Sequence, residues 1–194
     1  VTVAGSQTLV GENANKITGY TLKSNTKAEN YNITTTEGKL TVTNRDTKYA
    51  ITVTANSGEK TYDGQAVTVE GFEKLNFEVE GHTYTVEGLT ASATGTNVSE
   101  SKAVEVKGTA KVLDAAKNDV TAQFTVETKD GQLTIKPVAI ELTADSAEKA
   151  YDGTALTKNS YQITNGKFVG EEGLESVTVA GSQTLVGENA NKIT

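Results

Sequence analysis

The chain has 194 residues with no Cys, Met or Trp, one His, one Pro, and 18 Lys and Arg against 25 Asp and Glu, for a formal net charge of −7. This composition excludes a disulfide framework and thiolate metal sites, and it argues against a nucleic-acid partner, whose phosphates need clustered basic side chains. No apolar run is long enough to span a bilayer and no leader-like segment occurs, so no membrane insertion is expected and the stretch reads as lying after any secretion signal and before any anchor.

The vocabulary is that of strands and turns. Thr, Val, Gly, Asn and Ser recur in short alternating runs, and 4 Phe and 7 Tyr can line only a thin core. The expected fold class is all-β, an elongated tandem array of small sandwich-like or β-grasp-like domains joined end to end.

In chain order, residues 1–48 open on VTVAGSQTLVGENANKIT and run to AENYNITTTEGKLTV, where Glu37 and Gly38 are placed to form a hairpin turn. They read as the C-terminal part of a repeat unit, truncated at its start. A linker at 43–49, passing through Asn44-Arg45-Asp46, is the more pliant of the two junctions expected. Residues 49–137 read as one complete unit. Period-2 alternation places strands near 51–55, 66–69, 75–79, 84–86, 89–93, 104–112, 122–128 and 132–135. Asp130 and Gly131 sit between the last two, where Asp-Gly tolerates the positive φ of a type I′ turn, so a closing hairpin is predicted here too. Segments 72–76 and 113–118 have room for one helical turn each, without the length or apolar stripe of a stable helix. Pro137 stiffens the second junction. Residues 138–194 read as the N-terminal part of the next unit, truncated at its end.

Internal repetition is the strongest signal. Residues 1–18 recur without change as 177–194, an offset of 176 residues, as recent duplication in a longer array leaves them. A more diverged repeat lies inside it, at an offset of 89: AITVTANSGEKTYDG at 50–64 and AIELTADSAEKAYDG at 139–153 share ten of fifteen positions. The closing segments correspond as well, Tyr31 answering Phe124, Gly38 answering Gly131 and Leu40 answering Leu133.

The most recognisable short motif is Tyr62-Asp63-Gly64, repeated as Tyr151-Asp152-Gly153. It is either an exposed binding tip or a structural turn in which Asp-Gly bends the chain and the Tyr ring packs beneath it; the structural reading is the simpler. His82 has no counterpart in the other unit, and a Ser-His type of catalysis needs an oriented base, so it reads as a solvated loop residue. The sequence offers no zinc ligand set and no calcium loop. Sequons at Asn32 and Asn97 are common by chance in an Asn- and Thr-rich chain, and no Lys-Asn-carboxylate triad stands out for an isopeptide bond. No catalytic residue, metal or cofactor is assigned.

With EKTYDG (59–64), EKAYDG (148–153) and the closing segments AENYNITTTEGKLTV and VTAQFTVETKDGQLTI, the chain resembles the YDG-type tandem repeats of large Gram-positive bacterial cell-surface adhesins, over essentially its whole length. The resemblance implies an extracellular, cell-wall-associated stalk and carries over no catalytic or ligand residue. The expected function is a structural spacer projecting an adhesive or functional head from the cell wall; the alternative is a repeat that is itself a weak, multivalent module binding a host glycan or protein. Expected partners are neighbouring repeats of the same chain and, through unpaired sheet edges, other copies by head-to-tail strand complementation.

Overall fold

The computed structural model describes residues Val1–Thr194. Its sixteen strands are β1 (Thr2–Ala4), β2 (Gly11–Gly19), β3 (Gly38–Val42), β4 (Tyr49–Thr54), β5 (Gly58–Thr61), β6 (Val67–Glu70), β7 (Asn76–Val79), β8 (His82–Gly95), β9 (Lys102–Val104), β10 (Val106–Leu113), β11 (Phe124–Lys129), β12 (Gly131–Lys136), β13 (Glu141–Ala144), β14 (Tyr161–Asn165), β15 (Val179–Ala180) and β16 (Lys192–Ile193). Only three single 3-10 turns accompany them. The chain is all-β and sandwich-like in character, and no helix is long and apolar enough to cross a membrane.

Two compact units are present. One comprises Val1–Val53, Glu73–Thr90 and Lys107–Lys129; the other comprises Thr54–Phe72, Ala91–Val106 and Asp130–Thr194. Residues 49–137 contribute to both.

In the first unit β1, β2 and β3 form an antiparallel sheet, β4 pairs β11, and β8 pairs β7 on one side and β10 on the other. The alternation in Tyr49–Thr54 buries Ile51 and Val53 and turns the intervening Thr52 outward, as a strand with one covered face requires. Around them Phe77, Val86, Val112, Leu113 and Phe124 are buried. Tyr49 and Tyr84 pack on the Phe124 ring with centroids 5.4 and 4.8 Å apart, within the range of favourable aromatic pairs.

In the second unit β12 lies at the centre of a mixed sheet, parallel to β5 and antiparallel to β9. Strand β6 pairs with the last residues of β8, β13 pairs β14 and β15 pairs β16. The core is one cluster of Ala55, Val69, Ala91, Ala93, Val104, Leu133 and Ile135. Every buried hydrophobic residue of the chain lies between Ile51 and Ile135.

Three features depart from the sequence expectation. First, the strands predicted at 84–86 and 89–93 are one strand, β8, whose buried side switches from Val86 to Ala91, Ala93 and Gly95. Gly88 lies between the two halves at φ +82°, a backbone conformation that favours glycine. Second, Lys129-Asp130-Gly131 is not a two-residue hairpin turn. Strand β11 pairs with β4, whereas β12 lies between β5 and β9. The Asp130 carboxylate accepts the Val106 N–H at 2.8 Å, Gly131 has no positive φ, and the chain changes sheets at this point. β12 finds partners on both edges elsewhere, which outweighs local turn propensity. Glu37 and Gly38 likewise make no hairpin: residues 31–37 form no strand, β3 starts at Gly38 and pairs with β2, and Glu37 ion-pairs with Lys16 at 2.9 Å. The type I′ signature falls at Glu80-Gly81, where φ is +50° and +79° between the paired residues Val79 and His82. Third, 114–118 forms a turn and no helix: the Lys117 N–H bonds Asp114 O at 2.9 Å, and the Asp114 carboxylate accepts the N–H groups of Ala116 and Asn118, each at 2.9 Å.

The linker before β4 is pinned. Gln123 donates to Asn44 Oδ1 at 2.7 Å and accepts from the Arg45 N–H at 3.0 Å, and the Arg45 guanidinium lies 3.9 Å from the centre of the Tyr49 ring.

Candidate functional site

Three elements carry the repeat pattern into three dimensions: the two Tyr-Asp-Gly turns, the two copies of the 18-residue segment, and a cleft in the second unit. The turns are built alike. Asp63 Oδ1 accepts the Gln65 N–H at 3.0 Å and Asp152 Oδ1 accepts the Thr154 N–H at 2.9 Å, each an Asx turn. The next residues, Gly64 and Gly153, hold φ of +77° and +78°, which a side chain resists. A lysine three residues before each aspartate closes the turn, Lys60 to Asp63 at 2.8 Å and Lys149 to Asp152 at 2.7 Å. These contacts hold both carboxyl groups below the ordinary aspartate range, the lysine ammonium being the largest cause in each case and the backbone N–H the next.

The tyrosines differ. Tyr62 is partly buried against the core cluster and its hydroxyl donates to Glu172 Oε1 at 2.5 Å. That hydrogen bond, followed by desolvation, raises its pKa. Gly64 lies beside Val169, which an added Cβ would approach to 3.1 Å. The first Tyr-Asp-Gly turn therefore meets the loop 169–172 of the following repeat. Tyr151, in the equivalent place, is 64% exposed.

The 18-residue copies adopt one structure twice. Val3 pairs Ile17 and Ala4 pairs Lys16; 176 residues on, Val179 pairs Ile193 and Ala180 pairs Lys192. The side-chain bonds recur: Gln7 to Leu9 O and Gln183 to Leu185 O, both 2.7 Å, and Asn13 to Ser6 O at 2.7 Å answered by Asn189 to Ser182 O at 2.8 Å. Local sequence fixes this hairpin whatever surrounds it. The surroundings differ. The first copy pairs its β2 edge with β3, Asn15 opposite Gly38 and Asn13 opposite Leu40. The second binds the opening half of its own repeat: Leu156 and Gln183 exchange backbone hydrogen bonds at 2.8 and 3.1 Å, and Asn191 donates to Asp145 O at 2.9 Å and Lys158 O at 2.7 Å.

Between these parts lies a cleft of about 830 Å³, walled by 144–151 on one side and 181–191 on the other. No group of three or more His or acidic side chains there or elsewhere is arranged to hold a metal. His82 lies exposed at the first position of β8, and Asn32 is exposed as well. The predicted turn residues thus divide: Tyr62, Asp63 and Gly64 act at a junction between repeats, Tyr151, Asp152 and Gly153 border the cleft or stand beside it, and Asp130, Gly131, Glu37 and Gly38 belong to the starts of the closing strands. Sequence reasoning missed β5, whose GEKT side chains carry no strand signal, and the role of Glu172 and Val169; the homology of Gly58–Thr61 with 147–150 marks the place of β5, but no signal marked the last two.

No family model matches the chain, and no curated protein and no solved structure shows significant similarity to it.

Proposed function

We propose that the chain is a tandem-repeat stalk or spacer segment of an extracellular, cell-wall-associated bacterial surface protein, holding an adhesive or functional head away from the cell. The observation that supports it most directly is the parallel pairing of β5 with β12, in register from Leu133 opposite Gly58 to Lys136 opposite Thr61. The chain enters the unit 49–137 through β4, which runs on into β5, and leaves it through β12. Tension along the polypeptide pulls the start of β5 one way and the end of β12 the other. Because the two strands point the same way, this loads their hydrogen bonds together in shear instead of opening them one at a time. A Lys136–Glu59 ion pair at 2.5 Å and the Tyr62 N–H to Lys136 O bond at 2.8 Å extend the clamp. The confinement of buried apolar residues to 51–135, the repeated hairpin, the pinned linker and the resemblance to YDG-type adhesin repeats agree with units that alternate along a fibre.

Single-molecule stretching of the chain tests the reading. It requires a distinct force peak for the unit 49–137, lowered when β12 is weakened. Extension without a peak defeats it, and specific binding of an isolated 49–137 unit on a glycan array would favour the adhesive alternative.

A further inference from the structure

The cleft walled by 144–151 and 181–191 occupies the place that β12 fills in the unit 49–137. There, β12 lies between β5 and β9. At the offset of 89 residues the equivalent of Gly58–Thr61 is 147–150, one wall of the cleft. The pairing Gly131–Val104 and Leu133–Lys102 corresponds to Gly38–Asn15 and Leu40–Asn13 in the β2–β3 pair. The 176-residue offset then carries β9 onto 189–191, the other wall.

Two contacts of the complete unit recur in the half-unit. Ala55 bridges Phe72, and 89 residues on Ala144 pairs Tyr161; the Asn56 N–H to Gly71 O bond of 3.0 Å recurs as Asp145 N–H to Ser160 O at 2.9 Å. Three differences lie at the cleft. Residues 147–150 form no strand, Tyr151 is exposed where Tyr62 packs on the core, and Asn191 Oδ1 is a buried side-chain oxygen with no hydrogen-bond partner.

We propose that this cleft is an acceptor for strand β3, Gly38–Val42, of a second copy of the chain. The inference rests on the repeat reading of the preceding section. The homologous pairs set the register: Leu40 opposite Ala147, Thr41 opposite Glu148 and Val42 opposite Lys149 in parallel, with Gly38 opposite Asn191 and Leu40 opposite Asn189 antiparallel. Strand β3 already makes the second kind of pairing with its own β2, whose sequence is that of the acceptor, so exchanging one hairpin for the other is neutral on that side. The gain is the parallel ladder with 147–150 and the cover that Leu40 and Val42 place over Tyr151, an instance of strand addition at an open edge. Only this seat demands glycine at position 38. In its own sheet an added Cβ would meet nothing nearer than 3.6 Å, whereas the equivalent Cβ on Gly131 would lie 2.0 Å from Asn56 O.

The test is titration of the full chain with a synthetic peptide of residues 30–48, followed by heteronuclear NMR. Saturable binding is expected, with shifts concentrated at 147–151 and 188–191, and a Gly38→Ala peptide should bind at least about tenfold more weakly. A chain lengthened by a second copy of residues 19–48 after Thr194 should take up no peptide, because its own strand fills the seat. Absence of saturable binding, shifts elsewhere, or indifference to Gly38→Ala or to the added strand would overturn the proposal. The force measurement is independent: a chain that resists tension but ignores the peptide keeps the stalk reading and loses this one.

Discussion

Leu133 offers the sharpest measure of what the closing strand contributes. Its side chain is fully buried at the centre of β12, in a cluster of seven residues of which three are alanines. Leu→Ala substitutions in cores cost about 2–5 kcal/mol, more where the surroundings cannot collapse onto the gap. Here β12 is fixed on both edges, by β5 and β9, and the neighbouring alanines have no side chain to swing inward, so the upper part of that range is expected for Leu133→Ala, about 3–4 kcal/mol. The equivalent Leu40→Ala on β3 acts on a side chain only partly buried, at a strand paired on one edge, and should cost about 1 kcal/mol or less, as non-core substitutions do. With no Trp available, far-UV circular dichroism during urea denaturation is the assay, and at a slope of about 1–3 kcal/mol/M the Leu133 variant should lose at least 1 M in midpoint. Equal midpoints for the two variants would refute the reasoning, since it assigns the difference to the second sheet partner.

Gly131→Ala should destabilise by about 3 kcal/mol or more, the upper end for overpacking, because its Cβ would sit 2.0 Å from a backbone carbonyl; Gly38→Ala in the free chain should change the denaturation midpoint little. Tyr62→Phe removes the bond to Glu172 and should lower the denaturation midpoint, with Glu172→Gln reproducing most of the loss in the same assay. The pKa of Tyr62 is raised in the folded state, so that bond contributes its full stability below about pH 10, the unfolded tyrosine value, and loses it as pH rises through the folded value; tyrosinate absorbance of the wild type and Glu172→Gln should show a higher midpoint in the former. The lowered pKa values of Asp63 and Asp152 have the opposite sense: their contribution is present above about pH 4 and fades as pH falls through the folded values. Stability measured on the acid side should therefore be less pH-dependent in Asp152→Asn than in the wild type.

Much of the strand content was legible in residues 49–137 because alternation of β-branched with polar side chains is a local signal, and Ile51 and Val53, or Leu133 and Ile135, declare their buried face by spacing alone. Pairing was not. Asp130-Gly131 has the residues of a type I′ turn, but β12 gains two partners by leaving β11, a long-range advantage that dipeptide propensity does not register. Conversely Glu80-Gly81 forms such a turn with a glutamate at positive φ, a position whose cost is carried by the β7–β8 register. The Tyr-Asp-Gly turns were readable from Asp and Gly; that Tyr62 would reach Glu172 was not, since the partner lies 110 residues away and sits among several similar acidic residues. The cleft follows from long-range pairing that places β12 in its counterpart, although the repeat offsets that identify it are plain in the sequence.

The parallel partners Gly58 and Leu133 are 75 residues apart, which bears on how such a protein is made. At ribosomal rates of about 5–20 residues per second, the first of these strands waits some seconds before the second exists. Until then the unit cannot close its sheet. For the stalk proposed above, that delay would suit export, because a translocation channel accepts extended chain and the sheet would close only after β12 had emerged.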